Sequence, residues 1–193
     1  VTPEGEEKAL YFNQIGKHNL VNALCAISLA HLEGVSFESI RKGLASFPGI
    51  ERRMNQYHLD DLLLIDDYAH HPVELKAVLK TIKSTYPKRK NGIVFQPHLF
   101  SRTRDFMCDF ASVLSEFDEV ILLDIYPARE LPIEGVTSDN LLNLITNPNK
   151  KKVQKVDLLS AIEESKADLL VMAGAGDIGL EAQKILMQLN PTT

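Results

Sequence analysis

The 193 residues suffice for one generous domain, or one domain with a helical appendage, and 45% hydrophobic with 24% charged residues excludes a disordered chain. The formal net charge of -5 excludes a general nucleic-acid binder, which needs a basic surface to displace counterions, though not a local basic pocket for a small anion. No apolar run approaches the ~18 residues of a membrane span, Val1 to Leu10 lacks the apolar core of a signal peptide, and Cys25 and Cys108 form neither a disulfide framework nor a metal spacing, so a reducing cytosol is expected. The chain opens on Val1 rather than methionine, with an acidic stretch, as expected of a piece of something longer.

Gly16 to Gly34 reads as a helix, with Leu20, Leu24, Ile27 and His31 at helical spacing and Gly34 as its stop. Ser36 is a cap for a second helix through Phe47, with Phe37, Ile40 and Leu44 on its apolar face. Pro48-Gly49 then breaks the chain, making 1–47 a helical appendage and 48–53 a hinge to a domain over 54–193. Gln56 to Leu59, a turn at Asp60-Asp61, and Leu62 to Ile65 form a hairpin leading into a buried strand. Pro72 opens a helix carrying Leu75, Val78, Leu79, Ile82 and Tyr86. A strand over Gly92 to Gln96, a helix marked by Phe106, Phe110, Val113, Leu114 and Phe117, and a strand over Val120 to Leu123 follow. After them come a helix over Ser138 to Ile145, a weak strand over Lys152 to Val156, a helix over Asp157 to Ser165, a strand over Asp168 to Met172 and a final helix through Leu189. The runs Lys88 to Lys90 and Lys150 to Lys152 fall at predicted turns and read as solvated loops. This alternation predicts an α/β, Rossmann-like fold: a mostly parallel sheet with helices on both faces, preceded by the helical appendage.

Ligands of open α/β sheets sit beyond the carboxyl ends of the strands. Four polar segments follow predicted strands: Asp66 to Pro72, Pro97 to Arg104, Asp124 to Glu130, and Gly174 to Gly179. In the first, His71 and Pro72 start a helix, while Asp67 either holds loop amides or grips hydroxyls, and His70 faces a substrate. In the second, Arg102 near a helix start suits a carboxylate or phosphate, and Arg104 reads as a surface residue. The loop Gly174 to Gly179 matches G-x-G-x-x-G, but the acidic residue of a dinucleotide site, due ~20 residues later on another strand, has no room in the 14 residues that remain (193 − 179). It is a tight turn, not a nicotinamide site. Asn19 and Asn22 share a helix face and offer donor and acceptor groups of the kind an adenine edge takes. No G-x-x-x-x-G-K-[ST] is present. A metal-dependent phosphoesterase using Asp67, His70 and His98 is the alternative from another class, disfavoured because no zinc spacing matches.

Gly16 to Ala23 (GKHNLVNA), Arg52-Arg53, Asp66 to Pro72 (DDYAHHP), Phe95 to Thr103 (FQPHLFSRT) and Tyr126 to Glu130 (YPARE) resemble the carboxyl part of the Mur ligases, in order over nearly the whole chain. The resemblance implies a three-domain bacterial cytoplasmic enzyme of peptidoglycan precursor synthesis. ATP phosphorylates a carboxylate, and an amine attacks the acyl phosphate. Residues 1–47 are then the end of the central ATPase domain and 54–193 the amino-acid-binding domain. The last two motifs, Phe95 to Thr103 and Tyr126 to Glu130, narrow the likeness to members joining L-alanine to UDP-N-acetylmuramate, with a murein peptide ligase, which attaches a tripeptide, as the near rival. By resemblance, Asn19 and Asn22 contact adenine, Arg53 reaches the ATP phosphates and the transferring group, and Asp67 takes the ribose hydroxyls. His70, His98 and Arg102 form the alanine pocket, with Arg102 on the carboxylate. Leu99 stands where some members carry a second arginine, leaving Arg102 and helix-end amides as the clamp. The Mg²⁺ ligands belong to a preceding part not included here, which this chain contacts.

Overall fold

The structure, a computed structural model, describes residues 9–189, apart from the side chain of His18. Most of the opening stretch read as lacking a signal peptide, 1–8, and the tail 190–193 lie outside the described residues. Two compact units divide between Ile50 and Glu51.

In the first unit α1 spans Lys17–Leu32 and α2 spans Phe37–Ala45. Gly34, at φ +79, ends α1 as its residue type allows, and Val35 N–H closes back on Ala30 O at 2.9 Å. Ser36 caps α2 by accepting from Ser39 N–H. The stripe expected to be buried on α1 is not covered within this unit: Leu20 and Leu24 are 53% and 54% exposed, while Ala23 is the buried position.

The second unit holds a six-stranded sheet. Its elements are β1 (Asn55–Leu59), β2 (Leu62–Asp67), α3 (Pro72–Thr85), β3 (Asn91–Phe95), α4 (Phe100–Asp105), α5 (Met107–Leu114), β4 (Glu119–Leu122), α6 (Ser138–Leu144), β5 (Lys150–Lys152), α7 (Leu158–Glu163), β6 (Leu169–Ala173) and α8 (Ile178–Leu189). The strand order is β1-β2-β6-β3-β4-β5, with only β1 antiparallel. Strands β2, β3, β4 and β6 are almost wholly buried, as their continuous apolar runs require for a sheet covered on both faces. Alternate side chains Leu64, Val94, Ile121, Leu170 and Met172 pack with Leu158, Ile162, Ile178 and Ile185 of α7 and α8. Residues of opposite parity face the other helices: Phe95 lies 5.3 Å from Phe110 of α5, ring centre to ring centre. The α/β, mostly parallel architecture expected from the alternation is the one that forms.

Two local readings are corrected. The lysine run 150–152 is not a loop but the edge strand β5, so the strand expected over Lys152 to Val156 lies two residues earlier and ends at Lys152. Charge hides it, yet an edge strand accommodates lysines, and these have partners: Lys150 Nζ donates to Leu142 O and Ile145 O at the end of α6, and Lys152 pairs with Asp139 and Asp124. The helix marked by Phe106 to Phe117 is α5, which starts after Phe106 and ends already at Leu114, and a separate short helix, α4, precedes it.

Candidate active-site edge

Because β2, β6, β3 and β4 run parallel, their carboxyl ends share one edge. The segment 52–54 joins them there, since Asn55 at the start of β1 pairs with Asp66 near the end of β2. Among described non-glycine residues, Arg52, Met54, Asp60, Leu99 and Ala128 have positive φ. Asp60 is in the β1–β2 turn; the other four are all in segments at this edge, where backbone strain is held by surrounding contacts.

β6 stands between β2 and β3, so the glycine loop separates the loop after β2 from the loop after β3. The imidazoles nevertheless meet above it. His70 and His98 rings lie 6.1 Å apart, edge to face, and His98 stacks on Tyr126 at 5.6 Å. The stack is set by pairing continued past β3 and β4: Tyr126 N–H donates to Pro97 O and Leu99 N–H to Tyr126 O. Arg102 Nη1 lies 3.3 Å from His98 Nδ1. Guanidinium only donates, so Nδ1 of His98 accepts and the neutral ring carries its proton on Nε2. His70 has the opposite order. Its Nδ1 lies 2.9 Å from Tyr68 O and 3.4 Å from Glu74 Oε2, both acceptors, so in the neutral ring Nδ1 holds the proton and Nε2 the lone pair. Burial, then the Arg102 and His70 charges, push the His98 pKa below its ordinary value, against an opposing pull from Glu130. The edge thus presents one imidazole acceptor, one imidazole donor and a guanidinium. Such a set receives an ammonium or amine at one end and a carboxylate at the other.

Other polar groups of these loops hold backbone or face solvent, His71 and Arg104 as expected from the sequence. His71 is the N-cap of α3: it accepts from Val73 N–H, while Glu74 accepts from His70 and His71 N–H. Asp67 is 3% exposed, and its two oxygens accept Met54 N–H at 2.9 Å and Ala69 N–H at 2.8 Å. This is the loop-holding role. The helix-end amides expected to help hold a carboxylate are already engaged: Glu130 accepts from the Ser101 N–H at 2.9 Å and from its hydroxyl, and these bonds draw the Glu130 pKa below its usual value. Arg104 is a surface residue paired with Asp105 at 2.8 Å.

The group that the sequence analysis overlooked is Arg52. Its Nη2 donates to Gly174 O at 2.5 Å, Nη1 to Gly176 O at 3.4 Å and Nε to Asp66 Oδ1 at 3.3 Å, and its Cζ lies 5.1 Å from the Tyr68 ring centre. Burial raises the Asp66 pKa, with Arg52 working against it. Gln96, 1% exposed, bonds Asp177 Oδ1 at 2.8 Å and accepts Ile178 N–H at 3.1 Å. A Cβ on Gly176 would meet Tyr126 Cγ at 2.6 Å, and one on Gly179 would meet Arg52 Nε at 2.6 Å. The glycine pattern that found the turn is therefore explained by close side chains. The signal for Arg52 was its adjacency to Arg53.

Arg53 is exposed, with Cζ 5.9 Å from the Tyr68 ring centre, so both arginines border the same tyrosine. In the first unit Asn22 is exposed, and Asn19 Nδ2 donates to Ile15 O at 2.7 Å. The phosphoesterase alternative loses its geometry. Asp67 is turned to backbone amides, and among the described residues no group of three His, Cys, Asp or Glu side chains is arranged to hold a metal ion. No helix among them is long and apolar enough to cross a membrane.

Residues 52–182 match the family described as Mur ligase, glutamate ligase domain. The chain is 54% identical over 190 residues to a UDP-N-acetylmuramate–L-alanine ligase of Flavobacterium johnsoniae, covering 98% of this chain and 42% of that protein. It is 53% identical over 171 residues to the ligase of the same name from Cytophaga hutchinsonii, covering 88% and 37%. Among solved structures it resembles a UDP-N-acetylmuramate-alanine ligase from Thermotoga maritima, with a TM-score of 0.78 at 24% identity over 98% of this chain and 42% of that one. A murein peptide ligase from Psychrobacter arcticus gives 0.63 at 24% identity over 95% and 39%. At such identity both speak for the fold alone. The chain spans about two fifths of the length of the curated relatives it matches.

Proposed function

Since the chain belongs to the Mur ligase family, we propose that it is the carboxyl-terminal part of an ATP-dependent ligase joining L-alanine to UDP-N-acetylmuramate in the bacterial cytoplasm. The observation that carries the reading is the convergence of His70, His98 and Arg102 with opposed imidazole polarities. L-Alanine is a small zwitterion. Its carboxylate takes the Arg102 fork and the Nε2–H of His98, and its amino group lies toward the Nε2 lone pair of His70. Arg102 spends one of its five donors on His98, so a bidentate grip on the carboxylate stays geometrically available.

In the reaction, ATP converts the muramoyl carboxylate to an acyl phosphate. The alanine amine attacks the acyl carbon, a C–N bond forms, and the C–O bond to phosphate breaks. Before attack the ammonium must lose a proton, and His70 Nε2 is the acceptor the edge offers. Fixing the carboxylate orients the amine and lowers the entropic barrier to attack. Arg53 meets the phosphates or the transferring group in this reading, which its exposure beside Tyr68 supports. Residues 1–47 are the end of the central ATPase domain, which the chain contacts, and 48–53 the hinge; the division between Ile50 and Glu51 supports this. Asn19 and Asn22 take the adenine, for which Asn19 must release Ile15 O. Asp67 reaches the ribose only if its backbone partners yield. Mg²⁺ serves by shielding phosphate charge when bound, on ligands outside the described residues.

Phosphate release by the purified full-length protein tests the reading. It should require UDP-N-acetylmuramate, L-alanine and ATP together, and the 193-residue piece alone, which has no phosphate-cradling loop, should release none. Turnover with a tripeptide but not with L-alanine would transfer the chain to the murein peptide ligases.

A further inference from the structure

The sequence G-x-G-x-x-G after a parallel strand ordinarily offers backbone N–H groups to a phosphate. Here the loop turns carbonyls toward a cation of its own chain. Gly174 O and Gly176 O accept from Arg52, and the Arg52 Nε and Cζ atoms stand 2.6 and 2.7 Å from where a Cβ on Gly179 would be. Arg52 is held from every side: Asp66 Oδ1 at 3.3 Å, the Tyr68 ring beneath it, and its own carbonyl accepting Tyr68 N–H at 2.7 Å. Its backbone sits at φ +56, a conformation that costs free energy unless surrounding contacts enforce it.

We propose that Arg52 is a positioning residue: filling the glycine loop, it holds the next residue, Arg53, and Tyr68 where ligation needs them, and the glycines answer to this internal guanidinium rather than to a nucleotide. Arg53 stands over Tyr68 directly after a residue in the left-handed conformation, and the four contacts of Arg52 hold that residue in place. Lysine at position 52 keeps the charge but not the fork. It cannot reach Gly174 O, Gly176 O and Asp66 from one planar group, so the turn loosens while the sheet beneath it stays folded.

The part that concerns Arg53 rests on the ligase reading; the packing of Arg52 into the loop does not. Two measurements on the full-length enzyme separate them. The first is a stability cycle with Gly179→Ala, Arg52→Ala and the double variant. Gly179→Ala should destabilise by driving Arg52 from its partners, and in the Arg52→Ala background it should cost little. The unfolding constant of the double variant should lie at least tenfold closer to wild type than the singles combined would put it, roughly 1.4 kcal/mol of coupling. Additive effects would overturn the packing argument and the proposal with it. The second is kinetic. Arg52→Lys should lower kcat by roughly tenfold or more while the KM values for ATP, UDP-N-acetylmuramate and L-alanine stay within about twofold, and should add under about twofold once Arg53→Ala is present. A loss that persists undiminished in the Arg53→Ala background overturns the positioning of Arg53. If the wild-type enzyme ligates no alanine yet the stability coupling is intact, the functional reading and the positioning role fall together, and the internal guanidinium stands.

Discussion

Arg102→Ala in the full-length protein probes the proposed alanine pocket most directly. Arg102 is left without a second cation: Leu99 contributes none, and the Ser101 amide at the start of α4 is taken by Glu130. Removing one charge-assisted partner of a carboxylate costs about 1.5–3 kcal/mol, more when nothing nearby compensates. That corresponds to roughly a 10- to 150-fold rise in KM for L-alanine. The ATP constant should change little, since the imidazole pair and not the phosphates loses its neighbour. The assay is phosphate release with alanine varied at saturating ATP and UDP-N-acetylmuramate. A structural readout accompanies it. Without Arg102, His98 Nδ1 loses its donor and a positive neighbour, so the ring should titrate closer to its ordinary value by NMR. Arg104→Ala, altering an exposed pair with Asp105, should do neither. If the two substitutions behave alike, or Arg102→Ala mainly weakens ATP, the assignment of the pocket is wrong.

Two further outcomes follow from the anchors. The His98 pKa lies below 6.5, so between that folded value and 6.5 the unfolded chain binds more protons; stability should therefore fall as pH drops through 6.5 and level off below the folded pKa, a slope that His98→Gln should remove from the urea midpoints. Asp67→Asn sets an NH₂ group against one of two backbone donors, Met54 N–H or Ala69 N–H, and should cost roughly 1–3 kcal/mol by thermal melting; unchanged stability with a raised ATP KM would restore Asp67 to the ribose.

The fold was legible because its signal is local. Apolar strands and amphipathic helices alternate, Pro72 announces α3, and Ser36 announces α2. The order of strands was not, because β6 enters between β2 and β3 from a hundred residues downstream, and nothing in the runs themselves records that. The same limit hid the clamps. Glu130 to Ser101 spans 29 positions, and Arg52 to Gly174 spans 122. Lys150 to Lys152 failed for another reason: composition argued for solvent, whereas a three-residue edge strand needs only backbone pairing to β4 and somewhere for its charges to go. His70, His98 and Arg102, which the structure brings together, could be singled out because each follows a strand end, and Arg52 was missed because it precedes a strand whose antiparallel direction brings its start to that same edge.

That edge divides its polar residues by what they bind. Asp67 holds the amides of Met54 and Ala69, Glu74 those of His70 and His71, Glu130 that of Ser101, Gln96 that of Ile178, and Arg52 the carbonyls of Gly174 and Gly176. Each bonds backbone, and each steadies a segment that a strand end alone would leave to fluctuate. Backbone partners do not vary with protonation or with ligand, so such bonds hold geometry without competing for substrate. His70, His98 and Arg102 differ in kind: their hydrogen bonds use one ring nitrogen of each imidazole and one guanidinium nitrogen, which leaves Nε2 of each ring and further Arg102 donors for a ligand. A polar residue in these loops is therefore more informative by its second atom than by its presence. On that ground Asp67, with both oxygens engaged, groups with the anchors, and under the proposed function the two imidazoles and Arg102 group with the chemistry.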